Sequence, residues 1–226
     1  MNRTDKNAAV LWTGGKDSSL ALLRATRARY RVRSLVTFTP RAPNFLAHPI
    51  NFIAEQARAT GIPHRCAEIA EPFKDGYLRA IHSLRELGME TLVTGDIAEV
   101  EGHPNWILEC GEQVGMRVLM PLWGADRQSL LEELLAEKFG VVFSLVKTPW
   151  LDASWVGREL DSKAVTELRA IHTRNGFDLC GENGEYHTLV TDAPFFRERI
   201  AISGFSRRTR NGTAHIVITR TELLPK

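Results

Sequence analysis

The run Ala9-Val10-Leu11-Trp12-Thr13-Gly14-Gly15-Lys16-Asp17-Ser18-Ser19-Leu20 reads as a buried strand, a glycine turn and the start of a helix. Gly14 and Gly15 let the backbone adopt positive φ and approach a ligand, while the free N–H groups and the dipole of the following helix attract anions. Lys16 adds mobile charge and Ser18 a hydroxyl, so the segment reads as a phosphate cradle. The G-x-x-x-x-G-K-[ST] spacing of a Walker loop is absent, which excludes the usual P-loop reading. An ordinary strand-to-helix turn with Asp17 and Ser18 as caps is the alternative. The crowd of polar groups at one helix start exceeds what a cap needs and favours the nucleotide.

Working outward, the chain up to Trp123 alternates short β-rich runs with longer helical patterns, the signature of a parallel sheet with helices on both faces. Strands are predicted at Ala8–Trp12, Val32–Phe38, Arg65–Ile69, Thr91–Thr94 and Arg117–Met120. Helices are predicted at Ser18–Arg29, at Ile50–Thr60 stopping at Gly61, at Pro72–Leu87 with Gly88 just beyond, and near Asn105–Val114. After Trp123-Gly124 the rhythm changes. Asp126–Phe139 is an amphipathic helix capped by Asp126, Val141–Val146 a strand, Ser162–Thr173 a helix closing at Asn175-Gly176, and Phe205–Arg220 a hairpin turning at Asn211-Gly212. Two closely packed lobes, 1–124 and 125–226, are expected.

The 226 residues are 43% hydrophobic, enough for a substantial core, which excludes disorder. Lys plus Arg number 29 against 27 Asp plus Glu, a net charge of +2 that argues against nucleic acid as a partner and for a small-molecule or protein substrate. Cys66, Cys110 and Cys180 stand far apart, with no C-x-x-C pair, so neither zinc site nor redox dithiol is expected. Sparse cysteines and the lack of any apolar run near a membrane span's length point to a soluble cytoplasmic protein without membrane contact. A homodimer is compatible with these features.

Ligands in open α/β sheets sit beyond the carboxyl ends of the strands, where strand order reverses. Three loops meet that condition: the glycine turn; the stretch after Val36-Thr37-Phe38, where backbone groups could read adenine and Phe38 could lie against it; and Gly95-Asp96-Ile97. Asp96 either holds magnesium and orients an adenylate or caps a turn. His48, in the loop before the second helix, reads first as a hydrogen-bonded surface histidine and only second as a general acid or base. In the second lobe, Cys180-Gly181-Glu182-Asn183-Gly184-Glu185-Tyr186-His187-Thr188 packs two carboxylates, a histidine and a threonine into a tight turn. Paired carboxylates bind magnesium or shift one another's pKa, and the same residues also suit a solvated hairpin.

The first motif resembles the S-G-G-x-D-S loop of the N-type ATP pyrophosphatases, with Thr13 in place of the first serine. Together with Gly95-Asp96-Ile97 and the second-lobe run, it is similar to the ATP-binding family of diphthine-ammonia ligase, or diphthamide synthetase, over about Val10 to Phe196. The resemblance implies an adenine nucleotide alpha hydrolase-like, HUP-type Rossmann-like sheet, with a smaller C-terminal α/β lobe facing the nucleotide across a cleft. The resemblance carries ATP onto Gly14, Gly15, Lys16, Asp17 and Ser18, and together with the loop readings above ATP and Mg2+ are also expected at Thr13, Thr37, Phe38, Gly95 and Asp96, the metal resting on Asp17 and Asp96. Lys16, Asp17, Asp96, Glu182 and Glu185 would be the catalytic set. His48, Trp106, Gly181, Glu182, Gly184, Glu185 and Thr188 would bind the substrate.

Two departures bear on the substrate. The ligases carry Tyr-Gln-Arg-x-Arg after the fourth strand, where this chain has Gly102-His103-Pro104-Asn105-Trp106-Ile107. Asn183 and Tyr186-His187-Thr188 also differ from the ligases' glycine and aromatic-Glu-Thr, and with Trp155–Asp161 these features look like a bacterial branch. The Trp106 indole either stacks on an aromatic or cationic substrate or packs in the core. The expected activity is amide formation on a small carboxylic acid through an acyl-adenylate, with ammonia or an amine as nitrogen donor. Elongation factor 2 is a partner only if diphthamide synthesis is the function. Alternatives are an ATP- or AMP-binding regulator without turnover and an ATP-dependent tRNA modification enzyme.

Overall fold

The computed structural model describes residues 6–43, 45–99 and 105–226. In chain order its elements are β1 (Asn7–Leu11), α1 (Lys16–Arg27), β2 (Arg31–Thr39), α2 (Ile50–Thr60), β3 (His64–Glu68), α3 (Phe73–Glu86), β4 (Thr91–Val93), α4 (Trp106–Gln113), β5 (Arg117–Leu119), α5 (Arg127–Ala136), β6 (Gly140–Lys147), α6 (Ser162–Asn175), β7 (Tyr186–Asp192), β8 (Glu198–Arg210) and β9 (Thr213–Pro225). The chain divides into two compact units: Met1–Thr13, Asp17–Asn44 and Ile62–Trp123 form the first, and Gly14–Lys16, Phe45–Gly61 and Gly124–Lys226 the second.

The first unit is built on a parallel sheet ordered β3-β2-β1-β4-β5. Its central strands are continuous apolar runs, as parallel strands covered on both faces require: Ala8, Ala9, Val10, Leu35, Val36, Leu92 and Val93 are fully buried. The edge strand β3 carries His64, Arg65 and Glu68 and is largely exposed. Ile81 and Leu84 of α3 and Cys110 of α4 pack with Val36, Leu92 and Met116 into one core cluster. Asn105 caps α4, its Oδ1 accepting from Leu108 N at 3.1 Å, and Pro72, read as part of its helix, sits at the cap of α3.

The second unit is built on an antiparallel sheet ordered β7-β6-β9-β8. Strand β6, Gly-Val-Val-Phe-Ser-Leu-Val-Lys, is buried along nearly its whole length. Strands β8 and β9 form the predicted hairpin, longer at both ends than the sequence pattern suggested, and Asn211 and Gly212 turn it with φ of 49° and 74°. Asp126 and Asp161 cap α5 and α6 through bonds from Ser129 N and Ala164 N. Helix α2 also belongs to this unit: Arg197 N donates to Ala59 O at 2.7 Å and Thr221 Oγ1 to Glu55 Oε1 at 2.8 Å. Among the described residues no helix is long and apolar enough to cross a membrane.

Candidate active site

In the first unit the strand order reverses between β1 and β4, and the segments leaving their carboxyl ends carry Thr13, Asp17 and Ser18 on one side and Gly95 and Asp96 on the other. A methyl group on Gly95 would lie 2.7 Å from Ser18 N and 2.8 Å from the Asp17 carbonyl carbon. The two segments therefore meet backbone to backbone, and only glycine permits it. Thr13 Oγ1 and Ser18 Oγ are 3.3 Å apart, and Thr94 Oγ1 donates to Asp96 Oδ2 at 2.9 Å. Burial pushes the Asp96 carboxyl above its ordinary pKa, the Thr94 hydroxyl pulls it back, and the nearby Asp17 charge raises it again.

Such a carboxylate pair fits a hard divalent cation. Among the described residues no three His, Cys, Asp or Glu gather into a metal cluster, so an ion on Asp17 and Asp96 would draw its remaining oxygens from water and phosphate, the habit of magnesium.

Thr37 and Phe38 face inward. Thr37 Oγ1 donates to Trp12 O at 2.6 Å and stands 2.8 Å from His64 Nε2, which makes Nε2–H the donor to the hydroxyl. Burial holds His64 below its ordinary pKa, consistent with a neutral ring. Phe38 meets the Tyr77 ring edge-on at 5.4 Å, and Tyr77 lies 5.9 Å from Trp106. These rings join β2, α3 and α4, and both Phe38 and Trp106 are half-buried. His103 lies outside the described residues.

The second unit holds the middle of the glycine turn. Of the two glycines only Gly14 has positive φ, at 74°, and a side chain there would run into the Gln56 amide. Gly14 O accepts from Val190 N at 2.9 Å and from Gln56 Nε2 at 2.8 Å, and the same Nε2 donates to Val190 O at 2.7 Å. Lys16 departs from its expected role as a mobile charge. Its side chain is 2% exposed, Nζ donates to Cys180 O at 2.5 Å and sits 5.2 Å over the Tyr186 ring, and its backbone N–H donates to Thr188 Oγ1 at 3.1 Å. One amide of the expected cradle is thus held by the signature itself.

That signature is an internally bonded loop, not a solvated hairpin. Glu185, 4% exposed, accepts from Asp178 N at 3.1 Å, Asn183 N at 3.0 Å and Asn183 Nδ2 at 3.2 Å. Asp178 Oδ1 returns the clamp by accepting from Cys180 N and Glu182 N, while its Oδ2 meets Arg127 Nε at 3.3 Å. Gly184 N donates to Gly181 O at 2.9 Å to close the turn. The structure separates the two glutamates: Glu185 holds the loop, and Glu182 is half-buried on the turn it shapes. Tyr186 anchors the strand beneath, donating to Leu179 O at 2.6 Å and stacking on Phe177.

His48 reaches this motif after all, its ring edge-on to His187 at 5.3 Å. Burial first, then the Lys16 and Lys147 charges, push His187 down to about 4 against the opposing pull of Glu185, so the imidazole is neutral at pH 7. Sequence reasoning missed Gln56, Lys147 and Asp178. Asp178, two residues before Cys180 as in an Asx turn, left a usable signal; Gln56, a polar residue on a helix face, left none.

The chain matches two family models, described as the diphthamide synthase N-terminal domain over residues 6–118 and the diphthamide synthase C-terminal domain over residues 126–224. It is 28% identical over 92 residues to a diphthine–ammonia ligase of Schizosaccharomyces pombe, covering 41% of this chain and 15% of that protein. It is 26% identical over 104 residues to the Bos taurus ligase, with 46% and 39% covered. Against the Danio rerio ligase it is 23% identical over 222 residues, with 85% and 84% covered. The matched stretches thus span less than half the length of the yeast and cattle proteins. A crystal structure described as a predicted subunit of tRNA methyltransferase from Methanocaldococcus jannaschii aligns with a TM-score of 0.44 and 18% identity, covering 84% of this chain and 98% of that one. The two family models follow one another in domain order and together account for most of the sequence: the chain belongs to the diphthamide synthase family.

Proposed function

We propose that the protein is an ATP-dependent carbon–nitrogen ligase that joins ammonia or an amine to a small carboxylic acid. One observation carries this reading: the Gly95 segment seats backbone to backbone on the start of α1 where strand order reverses, bringing Asp17 and Asp96 together beside it. That is a place for a triphosphate and its counter-ion.

In the first step a substrate carboxylate oxygen attacks the α-phosphorus and the bond to pyrophosphate breaks, leaving an acyl-adenylate. The nitrogen then attacks the acyl carbon, AMP departs with the carbon–oxygen electron pair, and the nitrogen gives up a proton. Asp17 and Asp96 would hold a magnesium ion, which when bound supplies positive charge to the phosphates. The N–H groups at the start of α1 stabilise charge growing on pyrophosphate, where one preorganised donor is worth roughly 3 to 4 kcal/mol. Buried Lys16 acts by ordering the loop through Cys180 O, and Glu182 orients the incoming nitrogen.

A small acid is favoured over diphthine on elongation factor 2, because the basic stretch the ligases carry after the fourth strand has no counterpart here. The test supplies ATP, magnesium and ammonium with a panel of small carboxylic acids or with diphthine-bearing elongation factor, and measures AMP, pyrophosphate and product mass. Acid-dependent AMP matched by amide is the expected result. ATP binding with no acid-dependent AMP from any acid or from the factor would overturn the ligase reading, and conversion of the diphthine carboxylate would overturn the small-acid reading alone.

A further inference from the structure

Two hydrogen-bond donors of the second unit lie side by side, and the reaction above uses neither. Lys147 closes β6, and its backbone N–H donates to Glu185 O at 2.9 Å. His187 is paired with Leu145, two residues back along β6, so Lys147 and His187 are diagonal neighbours on one face of the sheet. Such neighbours have Cα atoms about 7 to 8 Å apart, within reach of a lysine. The ammonium leans over the signature turn: a methyl group on Gly184 would lie 2.8 Å from Lys147 Nζ. Both side chains are half-buried. Among the described residues Lys147 Nζ forms no hydrogen bond or ion pair and the His187 ring no hydrogen bond, its edge-on contact with His48 aside. The charges around them are engaged elsewhere. Glu185 accepts from Asp178 N, Asn183 N and Asn183 Nδ2, Asp178 meets Arg127, and the Lys16 ammonium donates to Cys180 O. Lys147 therefore offers an uncommitted positive charge beside an imidazole that is neutral at pH 7 and still carries one N–H.

A lysine that only lays its stem on apolar surface keeps its head in water and needs no second donor beside it. An ammonium and an imidazole N–H over a glycine turn match one carboxylate, whose two oxygens accept from both. A cationic ligand would meet the Lys147 and Lys16 charges. A phosphate dianion would be only half neutralised by one uncommitted ammonium. The reacting carboxylate of the acid is no match either, because it loses its charge on becoming an acyl-adenylate. We propose that Lys147 and His187 hold the second carboxylate of a small dicarboxylic acid. This assigns the substrate class within the ligase reading, on which it rests.

Isothermal titration calorimetry at pH 7.5 tests it on the full chain, with magnesium and α,β-methylene-ATP present so that no adenylate forms. Succinate is compared with butyrate, glutarate with pentanoate and adipate with hexanoate. At least one dicarboxylate should bind about tenfold more tightly than its partner, as a charge-assisted bond allows. Lys147→Met and Lys147→Gln should each bring that pair within about twofold, Lys147→Arg should keep most of the preference, and His187→Phe should reduce it severalfold. Circular dichroism melts confirm that each variant folds. No wild-type pair differing by about tenfold, or a preference that survives both neutral variants of Lys147, overturns the proposal. So does an equal loss of α,β-methylene-ATP affinity in those variants, which would put a nucleotide phosphate on the ammonium. AMP formation with ATP itself separates the two readings. AMP and amide from monocarboxylates alone would keep the ligase and overturn the dicarboxylate site, whereas a Lys147-dependent preference without acid-dependent AMP would keep the site and remove the ligase.

Discussion

The two glutamates of the signature do different work, and substitution should separate them. Gln at position 185 places an amide N–H2 where three N–H donors already point, so Glu185→Gln should lower stability by about 1 to 3 kcal/mol, read as a shift in the urea midpoint. Glu182→Gln should leave that midpoint in place yet cut AMP formation with a competent acid by on the order of a hundredfold. Equal loss of stability in both variants would remove the distinction. His187 predicts a pH dependence of fixed sign. Its folded pKa of about 4 lies below the ordinary 6.5, so between those values the unfolded chain binds the proton and the folded chain does not. Its contribution is intact above pH 6.5 and drains away as pH falls toward 4, by about 3 kcal/mol at most. Urea titrations from pH 8 to 4 should show that slope, and His187→Gln should flatten it.

Strand and helix ends are where the elements place charge against their own stability. At the ends of β4 and α1, Asp96 and Asp17 repel one another and Asp96 is partly desolvated, which is unfavourable for folding unless a cation intervenes. Asp96→Asn keeps an acceptor for Thr94 Oγ1 and removes the repulsion. The variant should therefore melt a few degrees higher than the wild type at pH 7.5 without nucleotide, and lose most of its magnesium-dependent ATP affinity. A lower melting temperature with ATP binding intact would show that the pair is structural. Elements were the most legible level of the sequence: Asp126 caps α5 as its position announces, Gly61 and Gly176 end α2 and α6 in the left-handed conformation, and Asn211-Gly212 turns the hairpin. These are local rules, decided within a few residues of backbone.

For the whole molecule, nucleotide binding should appear as thermal stabilisation: at 100 times its dissociation constant, ATP with magnesium adds about 2.7 kcal/mol. Gly15→Val, which obstructs phosphate approach, should weaken ATP at least about tenfold and shrink the shift measured by scanning fluorimetry; an unchanged shift in a folded variant would remove nucleotide binding at this loop. The strand and helix sequence, the parallel sheet and the switch-point position of the glycine turn were determined by the sequence alone, because hydrophobic period, caps and turn residues act over short distances and connection rules leave few topologies. What the tertiary structure decided is the employment of individual polar and aromatic side chains. Lys16 reads as a free charge until Cys180 O, 164 residues away, takes its ammonium. Glu185 reads equally as a reactive carboxylate or a hairpin residue until backbone N–H groups surround it, and Gln56 carries no signal until Gly14 O and Val190 O converge on its amide. A buried polar group must find a partner, and which partner arrives depends on contacts distant in sequence, which no local pattern encodes.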